Sequence, residues 1–188
     1  QDDNSNFILR KIYAFECDAV NENSVIEFVQ KISSLEKGKI DMLVNTVGGF
    51  HEYIDVSKFE TEIFDLWFNI NFKSTFYFSR EVIKIMRENN YGRIVSISSL
   101  AGLTPMPGRL AYSLSKSAVI GLMETINLEN KNFNIKCNAI IPTTIDTPSN
   151  REWGSEEDIK TWVKPEAIAD MIFGLTLKDE PTILNIGN

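Results

Sequence analysis

The chain has 188 residues, of which 43% are hydrophobic and 24% charged, and its net charge is −7. That length suits one domain with a sizeable core, and an acidic balance with no basic patch excludes a nucleic-acid partner. No apolar run approaches the roughly 20 residues that cross a bilayer, and the polar start Gln1-Asp2-Asp3-Asn4 has no leader pattern, so a soluble, cytoplasmic protein that does not bind membranes is expected.

In chain order, Ile8 to Cys17 reads as a strand, and Asn21 caps a helix that carries Val25, Val29 and Ile32 on one side. Lys37-Gly38-Lys39 stops that helix. Ile40 to Asn45 is a short apolar run of the kind buried on both faces of a parallel sheet. It leads into Thr46-Val47-Gly48-Gly49, whose glycines allow a sharp turn at a ligand. His51 to Lys58 is a polar, aromatic loop, and Phe59 to Asn89 has the periodicity of one long helix. Arg93 to Ile97 is the next strand and Ser98 to Arg109, with two prolines and two glycines, a loop.

Ala111 to Leu128 reads as a helix, Asn134 to Ile141 as a strand closed by Pro142, and Thr143 to Thr161 has no clear period. Pro165 opens a further helix, and Pro181 to Gly187 forms a last strand. Strand and helix alternate throughout residues 1–188, which predicts an α/β, doubly wound parallel sheet in a single domain. In such sheets ligands sit beyond the carboxyl ends of the strands. Asp18, Asn45 to Gly49, Ser98-Ser99 and Pro142 to Thr147 all fall on that edge.

The chemistry-bearing stretch is Ser98-Ser99-Leu100-Ala101-Gly102 followed by Tyr112-Ser113-Leu114-Ser115-Lys116. Tyr112 and Lys116, at i and i+4, share one helix face. A cation beside a phenol favours the phenolate, so Lys116 is expected to lower the Tyr112 pKa from its usual value of about 10. Tyr112 would then be a general acid or base near neutral pH, with Ser99 holding a substrate oxygen. The two cysteines, Cys17 and Cys137, lie in apolar runs and read as reduced core thiols. No spacing predicts a metal site.

The passage Gly92-Arg93-Ile94-Val95-Ser96-Ile97-Ser98-Ser99, through Pro107-Gly108 to Tyr112, Lys116 and Ala118, resembles the core of the short-chain dehydrogenase/reductase family. The resemblance implies a Rossmann-like, three-layer α/β/α fold and hydride transfer between NAD or NADP and a carbonyl, hydroxyl or pterin-like imine substrate. It implies a catalytic set of Asn71, Ser99, Tyr112 and Lys116, with Tyr112 as proton donor and Lys116 also on the nicotinamide ribose. Asn45 and Gly48 match the family's Asn-Asn-Ala-Gly, from which Thr46 and Val47 depart.

Pro142-Thr143-Thr144-Ile145-Asp146-Thr147 is similar to the segment over the nicotinamide, with Pro142, Ile145 and Thr147 at cofactor positions and Thr143 replacing a glycine. Asp18 matches an acidic residue at the adenine, and is otherwise a helix cap. Thr147 is otherwise a turn residue and Asn71 a polar helix residue, while Phe50 and His51 either line the substrate site or belong to a plain loop. The runs Val47-Gly48-Gly49-Phe50 and Pro142 to Arg151 are similar to a branch that includes dihydropteridine reductase.

No G-x-x-x-G-x-G phosphate cradle occurs in the chain. By the family layout the first β-α-β portion is expected to be missing, along with the segment that selects NAD or NADP. A homodimer or homotetramer through the two long helices is implied by resemblance alone. The other functional class is a non-catalytic dinucleotide-binding or scaffold protein that keeps the fold.

Overall fold

The structure is a computed structural model that describes residues 12–177 and 181–187. Four strands, β1 (Met42–Asn45), β2 (Gly92–Ile97), β3 (Ile135–Pro142) and β4 (Ile183–Ile186), pair in parallel in the order in which they occur. The register sets Asn45 beside Ser96 and Ile97 beside Ile140, so the carboxyl ends of β1 to β3 share one edge.

Strand alternation sends neighbouring residues to opposite faces, and two cores result. Ile94, Ala139 and Ile141 pack with Val25 and Val29 of α1 (Glu22–Leu35), Val82 and Met86 of α3 (Ser74–Glu88) and Met123 of α4 (Leu110–Glu129). Val95 and Ile140 point the other way, against Ile168 and Leu175 of α7 (Pro165–Thr176). This is the three-layer, doubly wound arrangement expected from the alternating pattern.

Local signals account for most element ends. Asn21 caps α1 by accepting from the Ser24 amide at 3.1 Å. Pro165 occupies the first turn of α7, where its missing N–H costs nothing. Within the unpatterned 143–161 stretch lie two helices of one turn, α5 (Pro148–Arg151) and α6 (Glu156–Ile159). Thr147 caps the first, and a reciprocal Ser155–Asp158 capping box holds the second.

Three expectations need correction. Residues 12–17 form no strand, and residues 8–11 of the expected first strand lie outside the described residues. The expected Phe59–Asn89 helix is α2 (Thr61–Phe68) and α3 joined by a π-helical turn, Asn69–Lys73, which adds a residue to the hydrogen-bond ladder without interrupting the rod. β1 is not buried on both faces: Met42 is 47% exposed, because among the described residues β1 pairs on one side only. Along that edge Ile40, Leu43 and Val44 join Phe28, Ile32 and Phe78 around an open apolar cleft of about 350 Å³. Among the described residues no helix is long and apolar enough to cross a membrane.

Met86 is fully buried, and its side chain fills the space above Gly92. Met86→Ala is expected to cost about 2–5 kcal/mol, read as a lower urea midpoint. An unchanged midpoint would mean that the α3–sheet core is not packed as described.

Candidate active site

At the carboxyl end of β2 the chain turns sharply under α4. Ser98, buried, donates its hydroxyl to the Lys116 carbonyl at 2.7 Å and so pins the strand end to the helix. Ser99 follows in extended conformation and caps the 3-10 turn Leu100–Gly102, its Oγ accepting from the Ala101 amide at 3.3 Å. That turn lies against α4 because Gly102 has no side chain: a Cβ there would stand 2.8 Å from the Lys116 carbonyl carbon. These contacts bring Ser99 to Tyr112.

Burial raises the Tyr112 pKa above its usual value, while hydrogen bonding to the Ser99 side chain and then the charge of Arg109 pull it partway back. The expected lowering by Lys116 is therefore overturned. The Lys116 ammonium lies 5.9 Å from the centre of the Tyr112 ring and is directed elsewhere, donating to the Ile97 carbonyl at 3.0 Å. Lys116 is only 6% exposed, and desolvation pulls its own pKa down to about 8. Its one hydrogen bond among the described residues leaves two ammonium N–H groups for a ligand.

Asn71 lies inside the π-helical turn and is fully buried. Its amide nitrogen donates to the Trp67 carbonyl at 3.0 Å, and its oxygen accepts from the Gly49 amide at 3.0 Å. A Cβ on Gly48 would stand 2.8 Å from Asn71 Oδ1 and 3.0 Å from Lys116 Nζ. The turn after β1, the π-helical turn and α4 thus meet at one side-chain-free point. Asn45 faces inward, donating to Ser96 Oγ at 3.0 Å and Ser79 Oγ at 3.3 Å, so it clasps β1 to β2 and α3.

Pro142 ends β3 beside Ile186. The Ile145 carbonyl accepts from the Asn150 side chain at 2.8 Å, and Thr147 Oγ1 accepts from the Asn150 amide at 3.2 Å. Between them, buried Asp146 accepts from Arg151 Nη2 at 2.8 Å and also from Lys164. Those two cations, Arg151 first, hold the Asp146 carboxyl well below the usual carboxylate range. The pair of bonds fixes the 142–164 segment over the sheet edge. Asp18 is exposed, and its carboxylate accepts from the Val20 amide at 3.1 Å in the turn before α1; it does not cap that helix, whose cap is Asn21.

Phe50, left open between a substrate-lining and a plain-loop residue, belongs to an aromatic wall beside Tyr112. Phe50 meets Tyr112 edge-on with ring centres 6.4 Å apart and Trp153 likewise at 6.0 Å. The Arg109 guanidinium lies 5.0 Å over the Phe50 ring. His51 is buried beside Phe59 and Trp67, with Nδ1 2.6 Å from the Glu52 carbonyl. The signal was the density of aromatic residues between Gly49 and Phe59, which no spacing rule interprets.

The family model described as short chain dehydrogenase matches residues 4–158. Among curated proteins, 2-dehydro-3-deoxy-L-rhamnonate dehydrogenase (NAD(+)) of Sphingomonas sp. (strain SKA58) is 34% identical, covering 69% of this chain and 52% of the relative. The 3-ketodihydrosphingosine reductase of Mus musculus is 34% identical over 86% of this chain and 51% of the relative. Among solved structures, NAD+-bound xylitol dehydrogenase superposes with a TM-score of 0.81 at 26% identity, over 92% of this chain and 77% of that one. ElxO with NADP bound superposes with a TM-score of 0.83 at 28% identity, over 92% and 75%. The chain belongs to the short-chain dehydrogenase family. It spans about half the length of the curated relatives named here.

Two outcomes are expected from this geometry. Gly48→Ala should destabilise the protein by about 1–3 kcal/mol, since both atoms its Cβ meets belong to buried side chains; an unshifted melt would show that the junction yields freely. For Lys116, the native state holds fewer protons than the unfolded one between about pH 8 and the ordinary lysine value, so its burial penalty is full below pH 8 and fades as pH rises. Relative to Lys116→Met, the wild type should gain up to ~3 kcal/mol between pH 7.5 and 10.5, measured by urea titration. Parallel pH curves for the two proteins would contradict the depressed pKa.

Proposed function

We propose that the protein is an NAD- or NADP-dependent oxidoreductase acting on a carbonyl or hydroxyl group of a small molecule, or on a pterin-like imine. The observation that carries this reading is the convergence of Ser99, Tyr112 and Lys116, beside Asn71, at the carboxyl edge of the parallel sheet. The nicotinamide fits the residues present on two counts. The Gly48-Gly49 turn carries no side chain toward Asn71 and Lys116, and the Lys116 ammonium keeps unused donors in a desolvated place.

When bound, the nicotinamide supplies or takes up the hydride. In reduction, the Tyr112 hydroxyl gives its proton to the substrate oxygen as the hydride reaches the carbon, and in oxidation it takes that proton back. A raised pKa keeps the phenol protonated at neutral pH, which suits the donor role. The Ser99 hydroxyl orients the same oxygen, and Lys116 holds ribose hydroxyls with its spare donors. Asn71 fixes the Gly48-Gly49 turn and, through the π-helical turn, can present a water to Lys116. Asn45 and Gly48 shape the cofactor's entry, and Pro142, Ile145 and Thr147 form the cover over the nicotinamide. Asp18 stands at the adenine end.

A cytoplasmic setting accords with the two free cysteines, Cys17 and Cys137, the latter with its thiol pushed up to about 12 by burial and therefore inert. Assembly into a homodimer or homotetramer is supported by exposed Leu66 on α2 and Leu114 and Leu128 on α4.

The test is an assay of the purified protein with NADH and NADPH against ketones, quinones and quinonoid dihydropterin. Tyr112→Phe should lower turnover about 10²–10⁴-fold while cofactor titration still saturates. Full turnover by that variant overturns the mechanism, and tight cofactor binding with no turnover on any substrate favours a non-catalytic role.

A further inference from the structure

Arg109 has no assigned part in the reaction, yet it faces the site. It sits just before the first turn of α4, three residues ahead of Tyr112, with its guanidinium 5.0 Å over the Phe50 ring. Its Nη1 is buried and has no hydrogen-bond partner among the described residues. Three other arginines have acceptors: Arg80 pairs with Glu22 and Glu81, Arg87 with Asn130, and Arg151 with Asp146. Arg109 pairs with no carboxylate among the described residues. In a chain with 26 acidic and 19 basic side chains, an unpaired guanidinium in a partly buried place stands against the charge balance. Leaving a charged donor unsatisfied in such a place is costly.

The surroundings narrow what could pair with it. The Phe50 ring under the guanidinium meets half-exposed Trp153 edge-on. The preceding residue, Gly108, is covered by the Tyr53 ring, and Leu103 and Met106 of the same loop are exposed. A bare inorganic ion would leave these apolar faces unused. A guanidinium stacked on a ring keeps its edge N–H groups free for planar, two-point binding of a carboxylate.

We propose that Arg109 anchors an anionic substrate, a carbonyl compound with an aromatic or aliphatic body whose carboxylate binds Arg109 while its carbonyl oxygen meets Ser99 and Tyr112. This rests on the oxidoreductase reading and adds the substrate class to it. Arg109 also acts on the Tyr112 phenol through its charge, an effect common to charged and uncharged substrates, so the two roles separate in a ratio.

The experiment compares phenylglyoxylate and 3-benzoylpropionate with their methyl esters, using wild type, Arg109→Gln and Arg109→Lys. Equilibrium binding is followed by tryptophan fluorescence, and reduction by kcat/KM with NADH and NADPH. The wild type should prefer one of the acids over its ester by roughly tenfold or more. Arg109→Gln should erase that ratio and Arg109→Lys should restore part of it. The proposal is overturned by an absent acid preference in the wild type, by failure of the acids to bind, or by a ratio that survives in Arg109→Gln. An Arg109-dependent binding preference with no reduction of any carbonyl compound leaves the anion site standing and removes the oxidoreductase reading. Reduction without acid preference does the reverse.

Discussion

Much of the site depends on one crowded point, where the Gly48-Gly49 turn, the Asn71 amide and the Lys116 ammonium come together. No side chain can occupy position 48 without meeting the other two. Asn71 secures the turn through the Gly49 amide, and Lys116 secures the end of β2 through the Ile97 carbonyl. Each contact is a hydrogen bond of ordinary strength made by a buried side chain, Asn71 or Lys116, for which an unmade partner costs more than a made bond returns. The point therefore fixes three separate segments of chain relative to one another, and the position of Tyr112 follows from them.

Two titratable groups at this point are moved in opposite senses by the same cause. Burial raises the Tyr112 phenol and lowers the Lys116 ammonium, so desolvation favours the neutral form of both. A neutral phenol is the species that can give a proton away. A lysine whose pKa is lowered to about 8 still carries its charge at neutral pH, and it places that charge against the Ile97 carbonyl. The site is held away from its resting tendencies by geometry, in keeping with the way perturbed groups gather where chemistry is done.

The sequence was informative where the relevant physics is local. The Asn21 cap, the Pro165 start, the parallel strands and the placing of Ser99 and Tyr112 at one edge all rest on period, cap or turn residues. It was uninformative where the outcome depends on the surroundings of a group. The sense of the Tyr112 shift reversed because the closeness of Lys116 in sequence says nothing of where its ammonium points. The π-helical turn leaves no mark in the sequence because one added residue hardly disturbs an apolar stripe that runs from Phe59 to Asn89. The sequence also does not show that Thr147 Oγ1 and the Ile145 carbonyl each accept a hydrogen bond from Asn150, which holds this segment in place. Arg109 belongs to no pattern, and only the folded chain shows that its guanidinium has no carboxylate beside it among the described residues.

The π-helical turn at Asn69–Lys73 also constrains which changes the chain can accept. An α-helix turns about 100° per residue, so the additional residue sets the phase of α2 relative to α3. Phase cannot be altered gradually by exchanging side chains. Removing one residue from 69–73 would restore a plain helix while rotating the face of α2 away from α4 and carrying Asn71 out of the junction. Substitutions in this region can adjust the site, but a one-residue deletion would dismantle it, so the length of this segment is fixed more firmly than its composition.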